Sequence, residues 1–279
     1  GNIIVGGSGK TPFVIWLSKL LEEQGYKPGI VSRGYGSKSN QYPLIIDDNS
    51  RVGDSGDEPL IIHRNTNRPV CISPKRTQAV KKLLEETDTD IVISDDGLQH
   101  YKLDRDLEIV IFDGIRGIGN NLCLPAGPLR EPIERAMDAD FIVSSSKRLD
   151  IDEIKEDCLM TYKPLEWVRL SDNRRFSAND WPLSRNVHAV AGIGNPSKFY
   201  NTLTSLGLNL IEHSFPDHYQ FKEEDLNFQD NHPILMTEKD AVRCMDMKNK
   251  NLWYLSIEAD IDDDSFKTEL LSKLKEIGG

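Results

Sequence analysis

Near the start of the chain, Gly6-Gly7-Ser8-Gly9-Lys10-Thr11 combines the residue types that a polyphosphate needs. Glycines let consecutive backbone N–H groups converge on the anion, and the helix that follows adds its positive dipole end. Lys10 can reach the β- and γ-phosphates, and the Thr11 hydroxyl can hold Mg²⁺. The stretch Ile4-Val5-Gly6-Gly7-Ser8-Gly9-Lys10-Thr11 is the expected nucleotide site. The strict pattern G-x-x-x-x-G-K-[ST] has glycine where Ile4 stands, and a glycine-rich turn without ligand has a similar composition.

Three further constellations could act on a phosphate. Asp95 and Asp96 open Asp-Asp-Gly-Leu-Gln-His directly after the apolar run 91–94, the place of a carboxylate that holds Mg²⁺; an acidic turn is the alternative. Asp57, in Gly-Asp-Ser-Gly-Asp-Glu-Pro, sits where a helix N-cap belongs. Capping alone explains it, although a carboxylate held there could also take a proton from a hydroxyl. His218, in Phe-Pro-Asp-His-Tyr, follows a strand in the second half and is either a surface residue or an acid–base group. Arg33, Arg76, Arg116 and Arg130 lie in loops or helix starts after strands, where a guanidinium can grip phosphate or simply be solvated. The stiff Leu124–Pro132 loop delivers Arg130 together with Glu131.

The elements that must position these residues alternate. Ile3–Val5 reads as a strand end, and Phe13, Val14, Leu17, Leu20 and Leu21 as the face of a helix stopped by Gly25. Strands are expected at 29–32, 69–73, 90–94, 107–112 and 141–144, and helices over 58–63 and 77–86. Apolar strands alternating with helices predict an α/β fold, a parallel sheet covered on both faces. Residues 147–186 break the rhythm and read as an extended or hairpin linker around Met160–Leu170. Alternation then resumes, with strands at 187–191, 208–211, 234–237 and 252–257 and helices at 199–206 and 265–277. The division expected is a phosphate-loop domain over 1–146, a linker over 147–186 and a smaller α/β domain over 187–279. In open parallel sheets ligands gather beyond the carboxyl ends of strands, where these motifs fall.

Composition limits the partners. A net charge of −11 argues against general binding to nucleic acid, whose phosphates it repels. No apolar run is long enough to span a bilayer, and no signal-peptide pattern is present. The four cysteines are widely separated, which suits reduced thiols. The chain opens on Gly1 at what reads as the end of a central strand, so residues upstream are expected.

A phosphate loop serves kinases, GTPases and nucleotide-driven switches alike. The guanine-reading [NT]-K-x-D sequence has no match: Ser146-Lys147-Arg148-Leu149-Asp150 places its acid one residue late, and Thr237-Glu238-Lys239-Asp240 has the wrong order.

In sequence order, GNIIVGGSGKTP, SRGYG, GDEP, ISDDGLQHYKLDRDLEIVIFDGIRGIGN, LPAGPLREP, AGIGNP, FPDHY and TEKDAV run from Gly1 to Val242. Together they resemble the tetraacyldisaccharide 4′-kinase family, which makes lipid A in Gram-negative bacteria and also lacks glycine at the position of Ile4. The resemblance implies two α/β/α domains and Mg²⁺-dependent transfer of the ATP γ-phosphate to the 4′-hydroxyl of a tetraacylated glucosamine disaccharide 1-phosphate, giving lipid IVA. It implies that Asp57 and His218 form a catalytic dyad, with Asp57 taking the hydroxyl proton and His218 orienting or tuning it. Lys10 would act on the phosphates; Thr11, Asp95, Asp96 and Glu131 would surround Mg²⁺·ATP. Arg33, Arg76 and Arg130, with Gln99 and His100, would face anionic groups. The resemblance also implies a hydrophobic N-terminal segment, upstream of Gly1, that seats the protein on the cytoplasmic face of the inner membrane. The lipid A disaccharide precursor is the implied partner.

Overall fold

The computed structural model describes residues 1–151 and 154–278. Its first half begins with α1 (Lys10–Glu23), whose buried Phe13, Val14 and Leu21 recur at helical spacing. Gly25 ends the helix in the left-handed region, with Tyr26 N–H closing back onto the Leu21 carbonyl at 3.1 Å. Then follow β1 (Pro28–Ser32), β2 (Leu44–Ile46), α2 (Val52–Ser55), α3 (Asp57–Thr66), β3 (Val70–Ile72), α4 (Arg76–Glu86) and β4 (Ile91–Ser94). The sheet order is β2-β3-β1-β4, parallel except for the antiparallel edge strand β2. All five residues of β1 are buried, as a strand covered on both faces requires.

The second sheet contains β5 (Ile109–Asp113), β6 (Phe141–Ser145), β7 (Cys158–Arg169), β12 (Leu252–Asp260), β11 (Ile234–Thr237), β9 (Asn186–Ala191) and β10 (Asn209–Ser214), in that spatial order. Its two parallel blocks meet at β7. Cys158–Met160 pair in parallel with β6, and Thr161–Arg169 pair antiparallel with β12. The short β8 (Arg175–Ser177) folds back on β7. The region expected to be a linker thus contains a strand of a continuous sheet, because Cys158, Met160, Trp167 and Val168 are apolar enough to be buried there.

Four further α-helices lie among the described residues: the short α5 (Glu134–Met137), α6 (Pro196–Ser205) and α7 (Glu238–Ala241), and the closing α8 (Asp264–Gly278). From α8, Phe266 packs edge-on against Phe141 of β6, with ring centroids 5.3 Å apart, and joins Phe13, Val143 and Met160 in one core. The chain's end is therefore anchored on its first half.

Ile3–Val5 departs from expectation. Gly1 exchanges hydrogen bonds with Ile109 and Ile111, so the segment starts alongside β5, but Ile4 makes only an isolated bridge to Leu129. The competing partners are local. Arg130 N–H donates to the Ile3 carbonyl at 2.6 Å, Val5 N–H donates to Pro128, and the Asn2 amide donates to the Ile4 carbonyl.

Candidate active site

The loop between Ile4 and α1 turns on two left-handed glycines, Gly6 and Gly9. Gly9 has a second reason to lack a side chain: a Cβ there would sit 2.0 Å from the Tyr162 hydroxyl of β7. Lys10, the first residue of α1, donates to Asn2 Oδ1 at 3.1 Å and lies 3.5 Å from Asp96 Oδ1. Arg116 reaches over the loop to donate to the Val5 carbonyl. Ser8 Oγ is buried without a hydrogen-bond partner. Gly6, Gly7, Ser8, Asp113 and Arg116 line a small crevice at the loop.

Asp95 and Asp96 follow β4, and their environments separate them. Asp95 is buried; Ser32 donates to its Oδ2 at 3.2 Å, while Oδ1 has no partner. Burial pushes its pKa up to about 6, with Glu58 and Asp96 adding to the shift and Lys10 opposing it. Asp96 adopts a left-handed backbone, φ 49°, which strains a non-glycine residue. Arg130 Nη1 donates to both its oxygens at 3.1 and 3.0 Å. Burial raises the Asp96 pKa, but Lys10 and Arg130 outweigh it and hold the carboxylate below its ordinary value.

The remaining expected phosphate ligands divide. Arg76 is buried and donates to the Ser73 and Asp95 carbonyls, so its guanidinium braces the acidic turn from beneath. Gln99 is likewise internal, donating to the Asn2 carbonyl and accepting from Arg130. Arg33 is exposed. Half-buried His100 has its pKa lowered by burial and then by Arg76, Lys102, Arg105 and Arg33, so it borders a positive surface suited to an anion. Glu131 accepts from Tyr101 at 2.8 Å and lies 3.6 Å from Arg135. A cavity of about 530 Å³ elsewhere, beside His232 and Lys248, contains none of these residues.

Asp57 is the first residue of α3, one position later than a cap; Gly56, at φ 82°, takes the cap position. A side chain at Gly56 would collide with the Tyr35 carbonyl at 2.3 Å, so the Ser-Arg-Gly-Tyr-Gly loop is clamped against this helix start. Asp57 does cap the first turn, since its Oδ1 accepts the Glu58 N–H at 3.0 Å. Its Oδ2 faces the second half of the chain. His218 Nδ1, on a backbone with φ 59°, is 3.2 Å away, and the Tyr35 ring packs edge-on to the imidazole. The structure therefore brings together Asp57 and His218, which are 161 positions apart in the chain.

Two cations missed in the sequence complete the corner. Arg243 donates to Asp57 Oδ2, and Lys239 donates to Glu58 Oε1 at 3.1 Å. Burial raises the Asp57 pKa, but Lys239, the Arg243 hydrogen bond and His218 together hold it below the ordinary carboxylate value. The available signal was the Thr-Glu-Lys-Asp-Ala-Val-Arg run, whose Asp240 and Arg243 share one face of a turn.

A glycine loop feeding a helix N-terminus, acids after the neighbouring strand and a carboxylate at a second helix start define an α/β protein of the phosphate-loop nucleotide-binding class. The chain belongs to the tetraacyldisaccharide-1-P 4′-kinase family, whose model matches residues 1–275. It is 44% identical over 277 residues to the tetraacyldisaccharide 4′-kinase of Hahella chejuensis, covering 99% of this chain and 80% of that one. To the enzyme of the same name from Legionella pneumophila (strain Corby) it is 47% identical over 263 residues, 94% of this chain and 79% of that one. The crystal structure of LpxK from Aquifex aeolicus in complex with ATP superposes with a TM-score of 0.79 at 29% identity, covering 99% and 86% of the two chains.

Proposed function

We propose that this protein transfers the γ-phosphate of ATP to the 4′-hydroxyl of tetraacyldisaccharide 1-phosphate, forming lipid IVA. The observation that carries the reading is that a chain of this family holds, besides the Gly6–Thr11 loop, a buried carboxylate, Asp57, paired with Arg243 and His218. Phosphoryl transfer needs alignment and charge neutralisation more than covalent chemistry. In this reading Ile4–Thr11 cradle ATP, and Lys10 leaves Asn2 and Asp96 to neutralise the β/γ-phosphates. Asp57 accepts the proton of the 4′-hydroxyl as its oxygen attacks the γ-phosphorus and the bond to ADP breaks. His218 orients or tunes Asp57, with which it shares the Arg243 donor. Arg33 and His100 face the anionic groups of the substrate, while Arg76, Arg130 and Gln99 hold the acidic turn in place.

The donor set fits Mg²⁺. Asp95 offers a buried oxygen without a partner, Thr11 offers a hydroxyl, and Asp96 and Glu131 are further oxygen donors. Among the described residues no three His, Cys, Asp or Glu side chains are grouped as a metal cluster, so Asp95, Asp96 and Glu131 are not preassembled around one point. The ion would neutralise charge on the transferring phosphate.

The division into a nucleotide half (1–146), a joining segment (147–186) and a smaller half (187–279) belongs to the same proposal, with closure between halves excluding water. So does association with the cytoplasmic face of the inner membrane, through the lipid substrate or an anchor. No helix among the described residues is long and apolar enough to cross a membrane.

The test is transfer of radiolabelled γ-phosphate to tetraacyldisaccharide 1-phosphate in detergent micelles with Mg²⁺. Labelled lipid IVA is the expected product. Nucleotide hydrolysis without transfer, or binding of guanine nucleotides alone, would favour a nucleotide switch instead.

A further inference from the structure

Arg243 is a buried cation with its guanidinium engaged. Its side chain is 1% exposed, and both terminal nitrogens are used. Nη1 donates to Asp240 Oδ1 at 3.1 Å and to the Gly192 carbonyl at 3.3 Å. Nη2 donates to Asp57 Oδ2 and to His218 Nδ1, the latter at 3.2 Å. Asp240 is itself fixed, accepting from Thr237 Oγ1 at 2.7 Å and Gly192 N–H at 3.1 Å. One guanidinium thus ties the end of β9 and the turn after α7 to the start of α3 and the His218 loop.

We propose that Arg243 is a positioning residue for phosphoryl transfer: anchored by Asp240 and Gly192, it fixes Asp57 as a carboxylate and makes His218 Nδ1 a hydrogen-bond acceptor. This rests on the reading of Asp57 as the base. A guanidinium has only donors, so the imidazole nitrogen facing it carries no hydrogen. In the tautomer that accepts from Arg243 the ring hydrogen is on Nε2, 3.9 Å from Asp217 Oδ2; a hydrogen on Nδ1 would instead face Asp57 Oδ2. Asp57 and His218 are therefore two acceptors that share a donor, although they lie 3.2 Å apart. The acceptor hydroxyl can give its proton to Asp57 because that carboxylate stays ionised despite burial. The fork also registers the two halves, so Asp57 meets His218 only when Asp240 holds Arg243 in place.

The charged groups around Asp57 are Glu58 on its own helix, Lys239 and Asp240 from α7, Arg243 after it, and His218 with Asp217 from the loop after β10. Lys239 and His218 remain in every variant below, so a change reports Arg243. The experiment is the pH dependence of kcat for phosphate transfer in wild type, Arg243→Gln and Arg243→Lys, with thermal unfolding of each. Losing the cation raises the pKa of the buried carboxylate, so the acidic limb should move up by about 1–3 pH units in Arg243→Gln. Arg243→Lys keeps the charge and loses the fork; its limb should stay near that of wild type on a lower plateau, and KM for ATP should change in neither variant. A folded Arg243→Gln enzyme with its limb unmoved overturns the proposal, as does a limb that moves equally in both variants. Asp57→Asn is assayed alongside. If it is inactive at every pH, the base assignment stands whatever Arg243 does; if it turns over normally, that assignment fails on its own evidence.

Discussion

Asp95→Asn should stabilise the nucleotide-free protein while destroying its activity. Asp95 is 3% exposed, and its Oδ1 lacks a partner, so the fold holds a carboxylate where a neutral group would be more favourable. Its pKa rises from the ordinary 3.8 to about 6 on folding. Each unit corresponds to 1.36 kcal/mol, so at pH 7 the ionised side chain costs the fold on the order of 3 kcal/mol. The sign follows from proton binding: between the two values the native state holds more protons than the unfolded chain, so stability falls as pH rises through about 4 to 6. Asparagine removes that penalty and can keep the Ser32 hydrogen bond. The gain should be largest at pH 7, roughly 5–10 °C in Tm for a chain of this size. At pH 4.5 it should shrink to about 1 kcal/mol, because the native carboxyl is then neutral and the unfolded one only partly ionised. Thermal unfolding of both proteins at the two pH values, without nucleotide or metal, is the assay. An Asn variant that is no more stable than wild type at pH 7, or whose advantage is as large at pH 4.5, would refute the reasoning.

Three further outcomes are expected. Asp57→Asn should lower kcat by roughly 10²–10⁴-fold with ATP binding intact, as expected for loss of a general base; equal turnover in single-turnover assays would remove Asp57 from the chemistry. Gly9→Ala should destabilise the protein by about 1–3 kcal/mol and weaken nucleotide binding, because a left-handed residue acquires a side chain against Tyr162; denaturant unfolding and ATP titration read both effects. Arg130→Gln should let Asp96 lose its bidentate partner and raise KM for ATP, with little change in the Asp57-dependent acidic limb; a variant with unchanged KM would show that the turn stands without Arg130.

Local residue types and spacing were enough to read the nucleotide half. The glycines and Lys10 of the loop, the apolar face of α1, the carboxylates after β4 and the buried strands β1 and β5 each declare themselves within a dozen residues. The chemistry involved is local: backbone freedom at glycine, a helix dipole and period-dependent burial. The same reading missed what depends on partners distant in the chain. Ile3–Val5 has strand composition, yet the Leu129–Arg130 segment and Asn2 take its hydrogen bonds. Residues 147–186 lack a clear period, yet their central strand joins two blocks of one sheet, because β6 and β12 supply opposite edges.

At the site the division is sharper. Asp57 could be read as a cap; it stands one residue inside the helix, where one oxygen accepts the Glu58 N–H, and its second oxygen is committed by residues 161 and 186 positions away, His218 and Arg243. Sequence alone placed acids and a histidine at strand ends and helix starts, since those preferences are set within a few residues. Only the tertiary structure decided that Arg76 and Gln99 brace the acidic turn, that Asp95 is pushed up in pKa while Asp57 and Asp96 are held down, and that Arg243 touches both Asp57 and His218. Burial and charge pairing act through space, and the chain order carries no record of which cation will face which acid.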